Sequence, residues 1–165
     1  MENASVLAIP QTALQRLEFL AGEYSGRQIL YPPGGKSVSY DAYCTISREA
    51  CERFVKVEFY AEIPEIGIES FTAFVTFSPR RGTYQMWLFS SSAEEPLHMT
   101  GDFRGRDLVL ISEPWAMPWG LQRLRGTFTP RGNGDFEYLT ELWTPDGYTR
   151  FRHSVFHRDS IDLEP

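Results

Sequence analysis

Lysine is almost absent from this sequence. Lys36 and Lys56 are the only two, and 16 basic residues face 22 acidic ones for a net charge of −6. Nucleic-acid binding draws on an excess of Lys and Arg against phosphate, so the balance argues against it. A polybasic patch for a membrane surface is equally unsupported. Cysteine is scarce too: Cys44 and Cys51 cannot by themselves define a disulfide framework. They are expected as two free thiols in a reducing compartment. No apolar run approaches the ~18 residues of a membrane-crossing helix. The first ten residues carry Glu2 and no cationic stretch, which does not read as a secretory signal, and the expected location is the cytoplasm. His98, His153 and His157 lack the spacing and the partners of a zinc site, and no metal is expected. There is no nucleophile-elbow glycine pattern. Residues 32–37 end in Gly-Lys-Ser but lack the first glycine and the following helix of a phosphate-binding loop.

What the chain does have is aromatic bulk: 12 Phe, 8 Tyr and 4 Trp in 165 residues. Side chains of that size need a core or a pocket to fill. The length suits one domain, 1–165. A helix is expected over 11–20, where Leu14, Leu17 and Leu20 share a face, with Thr12 as its cap and Gly22 beyond its end. From there to residue 158 the period is two. Strands are expected at 23–31, 37–46, 53–63, 69–77, 83–89, 98–103, 107–112, 121–129, 136–143 and 148–157, separated by Pro, Gly, Asn and Asp turns. Ten short strands at hairpin spacing, without room for crossover helices, predict an all-β, up-and-down antiparallel barrel over 22–158 whose closure removes sticky edges.

The turn Thr144-Pro145-Asp146-Gly147 sets a register between the last two strands. With Trp143 opposite Tyr148, one face holds Phe136, Tyr138, Thr140, Leu142, Phe151, His153 and Val155, and the other holds Glu137, Glu141, Arg150 and Arg152. The aromatic face is expected inside. A slip of one residue would exchange the two faces.

Several segments resemble a known group. Leu20-Ala21-Gly22-Glu23-Tyr24-Ser25-Gly26 resembles the helix-then-Gly-x-Trp-x-Gly entry of lipocalin-like (calycin) barrels. Phe77-Ser78-Pro79-Arg80-Arg81-Gly82-Thr83-Tyr84 looks like the hairpin of a bacterial lipocalin-like family of unknown function. Arg123 and Trp143-Thr144-Pro145-Asp146-Gly147 are similar to that family's C-terminal half. Its relatives include the haem-binding nitrobindins and the fatty-acid-binding proteins. Tyr24 stands where the nitrobindin motif has tryptophan, and Gln28 where it has its last glycine. The resemblance implies a barrel with an internal ligand site and places Tyr24 near its floor.

The leading reading is a module that binds a small hydrophobic or aromatic ligand, with or without an anionic group. The ligand-binding candidates are Tyr24, Trp87, Trp115, Met117, Trp119, Arg123, Arg125, Tyr138, Phe151 and His153. Residues 113–120, with two tryptophans, a methionine and two prolines, form either a lid over the mouth or a plug that closes one end. Arg123 and Arg125 share a face. In one register they point inward, where a guanidinium would hold a carboxylate; in the other Leu124 and Phe128 are core and both arginines are in water. His153 is a core histidine, a ligand-orienting group or a general base. A second reading makes the barrel a reaction chamber of the cyclase or isomerase type, with His153 and Tyr138 as its catalytic pair. A third, implied by the nitrobindin relationship, is haem on His153, with no other cofactor expected. Neither nucleic acid nor a membrane span is expected, and a homodimer is left open.

Overall fold

The chain is described by a computed structural model over residues 9–50, 52–117 and 119–159; Cys51 and Pro118 lie outside the described residues. Ten strands close into an antiparallel barrel: β1 (Gly22–Leu30), β2 (Val38–Glu49), β3 (Phe54–Ile63), β4 (Gly67–Ser78), β5 (Thr83–Ser90), β6 (Leu97–Arg104), β7 (Asp107–Ser112), β10 (Leu124–Pro130), β11 (Phe136–Thr144) and β12 (Gly147–Arg158). Each strand pairs with its neighbour in sequence, β7 pairs directly with β10, and β12 returns to β1. Between β7 and β10 the chain makes a separate two-stranded hairpin, β8 (Trp115–Met117) and β9 (Gly120–Gln122). The predicted strand 121–129 is therefore two pieces, broken at Arg123.

The helix is shorter than its leucine spacing predicts. α1 covers Gln11–Gln15, and a 3-10 turn follows at Glu18–Leu20. Thr12 is not the cap; the carbonyl of Pro10 accepts from the amides of Ala13 and Leu14. Five residues cannot hold a helix in water, so packing must. Leu17 and Leu20 are fully buried against the barrel's closed end, and the Tyr84 hydroxyl donates to the Ala13 carbonyl at 2.7 Å.

Inside, the alternation follows the expected pattern on most strands. Tyr40, Ala42, Cys44 and Ile46 of β2 are buried, as are Val55, Val57, Phe59 and Ala61 of β3. At the closed end Phe136 stacks on Phe156 and meets the ring of Tyr24 edge-on. Cys44 is free and buried, and burial pushes its thiol up to about 12.

β12 departs from the expected register. Trp143 faces Tyr148 and Glu141 faces Arg150 as the turn dictates, but Thr140 then faces Arg152. Phe151 is the extra residue of a β-bulge, and every later side chain changes face. Ser154 and Phe156 are buried, while His153 and Val155 point outward.

Two outcomes follow from this packing. A Cβ at Gly101 would lie 1.8 Å from the Val109 carbonyl oxygen, whereas one at Gly132 meets nothing within 4 Å. Gly101→Ala should cost at least about 2 kcal/mol in urea unfolding and Gly132→Ala under about 0.5. In a Cys51→Ser variant, Cys44 should ignore a thiol reagent in the native protein and react fully in denaturant, because only the thiolate attacks. Prompt native reaction would contradict its burial.

Candidate functional site

The open end of the barrel, opposite α1, contains a cavity of about 300 Å³. Its walls are aliphatic and aromatic, including Leu88, Leu97, Met99, Phe71 and Leu124. The β8–β9 hairpin reaches over it and contributes Trp115, Met117 and Trp119. Trp115 is tied down by its indole N–H, which donates to the Glu95 carbonyl at 3.0 Å. Trp119 meets Phe151 edge-on at 5.8 Å and remains partly in solvent. The lid reading of this segment fits the geometry, since these side chains border a cavity.

Polar groups border the cavity from four strands, with Ser90 of β5 among them. Tyr138 and Thr140 come from β11, Arg152 from β12 and Glu69 from β4. Nη2 of Arg152 lies 2.5 Å from Oε1 of Glu69. The Glu69 side chain is only 7% exposed and that of Arg152 20%. Below them runs a buried chain in which Ser154 Oγ donates to Gln28 Oε1 at 2.6 Å and Gln28 Nε2 donates to the Tyr40 hydroxyl. Burial raises the phenols of Tyr138 and Tyr40, although Thr140 bonding to Tyr138, Gln28 bonding to Tyr40 and the charge of Arg152 pull them back. Both are neutral phenols at pH 7, able to donate.

Of the sequence candidates, Trp115, Met117, Trp119, Tyr138 and Phe151 meet around this cavity. Five do not. His153 is on the outer face because of the bulge, with Nε2 2.5 Å from Glu137 Oε1. Burial opposes the charge on Glu137, but Arg131 and His153 outweigh it and hold that carboxyl below its ordinary range. Arg125 also points outward, bound to Glu141 at 2.7 Å and lying over the Tyr148 ring. Arg123 is exposed. Leu124, Gly126 and Phe128 took the interior, because that register buries apolar groups and avoids the desolvation of two guanidinium groups. Trp87 stacks on His98 outside the sheet while Met86 is buried and Leu88 lines the cavity. Tyr24 is at the floor as expected but away from the cavity; its hydroxyl donates to the Leu20 carbonyl and accepts from Arg158.

The same geometry tests the chemistry attached to those residues. The reaction-chamber reading loses its histidine, since His153 cannot touch the contents of the barrel. Haem of the nitrobindin kind needs an imidazole at the iron, and His98, His153 and His157 all lie on the outer face. Cys44 is held as a thiol. The residues present do not fit that group. Among the described residues there is also no cluster of three or more His, Cys, Asp or Glu side chains able to hold a metal ion, and no helix is long and apolar enough to cross a membrane.

Sequence reasoning missed Glu69 and Arg152. Glu69 was visible in principle, because it shares its period-two row with Phe71, Ala73 and Val75. Arg152 was not, since the turn-derived register places it on the solvent face.

No protein-family model matches the chain, and no curated protein matches it by sequence. The structure is similar to the crystal structure of Rv2717c from M. tuberculosis, with a TM-score of 0.67 and 18% sequence identity over 93% of this chain and 100% of that one. At that identity the likeness is one of fold: a closed antiparallel β-barrel.

Proposed function

We propose that the chain is a lipocalin-like, calycin-type binding barrel that holds one small, largely apolar molecule at its mouth. The observation that carries this reading is the cavity of about 300 Å³ under the Trp115–Met117–Trp119 hairpin. Protein interiors normally pack to crystal-like density, and apolar walls left uncovered at the mouth forgo burial that side chains could have supplied. A barrel whose interior served stability alone would be filled, as this one is at its closed end by Tyr24, Phe136 and Phe156. Ligand pockets are mostly apolar with a few fixed polar groups, which matches aliphatic walls around Glu69, Arg152, Tyr138 and Thr140. The volume lies at the lower end of such sites, ~300–1,000 Å³, so the ligand is a molecule of up to about three rings or a short chain. Trp and Met on the hairpin give adaptable apolar contact, and Pro114 stiffens its base.

The neutral fluorophore N-phenyl-1-naphthylamine tests the reading. Saturable, one-to-one enhancement is expected, weakened about tenfold by Trp119→Ala, which removes roughly a ring's worth of apolar contact. Trp143→Ala, at an exposed position outside the cavity, should leave binding unchanged. A flat titration with this probe and with aromatic compounds lacking charge would remove the binding reading.

A further inference from the structure

Glu69 and Arg152 do more than pair. Their contact is end-on: Nη2 reaches Oε1, while Oε2 of Glu69 and Nε of Arg152 are both buried and have no hydrogen-bond partner. Buried polar atoms are bonded in nine cases out of ten or more, so two orphans on the two halves of one ion pair need an explanation. A side-on, two-bond arrangement would have satisfied both at once. What is left is one acceptor and one donor on two paired residues that line the cavity.

We infer that this pair recognises a neutral group carrying a donor beside an acceptor, such as a primary amide or a hydroxy-carbonyl, on the small apolar ligand of the proposed binding function, on which this inference rests. On entry of the ligand a small rotation of the two side chains would turn these covered atoms toward the cavity, where the N–H or O–H would donate to Oε2 of Glu69 and the carbonyl would accept from Nε of Arg152. A carboxylate fits less well for two reasons. The positive charge of Arg152 is already matched by Glu69 at 2.5 Å, so an entering anion finds no net cation and meets a second carboxylate. The mouth is also acidic: Glu65, Glu94, Glu95, Glu113 and Asp146 stand exposed around it, against Lys36, Arg123 and Arg150. Such a rim lowers the local concentration of anions before they reach the cavity. The neutral phenol of Tyr138 and the Thr140 hydroxyl lie on the same wall and can serve the ligand's remaining polar atoms. The interior anion anchor expected of Arg123 or Arg125 is thus replaced by a charge-neutral pair.

Calorimetric titration at pH 7 with a matched set decides the matter: 4-butylbenzamide, 4-butylbenzoate and butylbenzene, which share one apolar body. The amide should bind at least about tenfold tighter than either of the others, the scale of one well-made buried hydrogen bond. Glu69→Gln unmasks Arg152 and should turn the preference toward the benzoate. Should that variant not fold, Glu69→Leu/Arg152→Met removes both charges and both hydrogen-bonding groups together, the exchange a core tolerates best. It should bind amide and butylbenzene with similar affinity. Benzoate binding as tightly as the amide to the unmodified protein overturns the inference and leaves the binding barrel standing. So does an amide preference that survives the double substitution. No binding of any of the three removes both.

Discussion

The contents of this barrel depend on the one residue that β12 has in excess of β11. Side chains alternate along a strand, so an unpaired Phe151 between Thr140 and Glu141 exchanges the faces of everything beyond it. Without the bulge His153 would sit among phenyl rings and Arg152 in solvent. With it, Arg152 enters the cavity beside Phe151, Ser154 reaches Gln28, and Phe156 completes the aromatic stack at the closed end. His153 is delivered to Glu137 and Arg131 on the outside, an arrangement of ordinary surface electrostatics.

Placing a guanidinium and a carboxylate in an apolar cavity is not the cheapest way to hold a fold. Each charge loses its hydration, and only good geometry with every remaining hydrogen-bonding atom satisfied recovers the loss. Here the geometry is incomplete. An aliphatic pair of similar volume would pack against Phe71 and Leu30 without that penalty. Among the described residues the other charged pairs lie on the outside of the barrel: Arg27–Asp41 and Arg48–Glu18 are open to water, which makes their contribution small, and Arg125–Glu141, though partly covered, is outside the cavity. The pair on the cavity wall therefore differs in its setting from the rest.

Most of the architecture could be read from residue order. The alternation of Tyr40, Ala42, Cys44 and Ile46, or of Phe136, Tyr138 and Thr140, reports a half-buried strand because burial acts on each side chain separately. The Trp and Met of 115–119 mark a lid or a plug at one end of the barrel, because such residues in a stiff connection have little else to pack against. The helix lies where the leucines place it, within 11–20, but the chain tightens into a 3-10 turn at Glu18–Leu20 to fit the end of the barrel, which local spacing does not encode. The site was half hidden for a similar reason. A bulge is a property of two strands together, and no pattern within β12 announces it. Arg123 and Arg125 illustrate a different limit, since either register satisfies alternation and only the volume of the neighbouring Leu124 and Phe128 decides between them.

The β7–β10 ladder has one more implication. Val109 and Leu110 pair with Thr127 and Gly126 with no contribution from the hairpin that interrupts the sequence between them. The barrel's hydrogen-bonded wall is continuous underneath its own cover. Insertions, deletions or wholesale exchange of residues 113–123 would leave the circuit of strands intact while changing what can enter. Under the proposed binding role, the cover can be rewritten separately from the staves, over about a dozen residues, to fit the same scaffold to a different ligand.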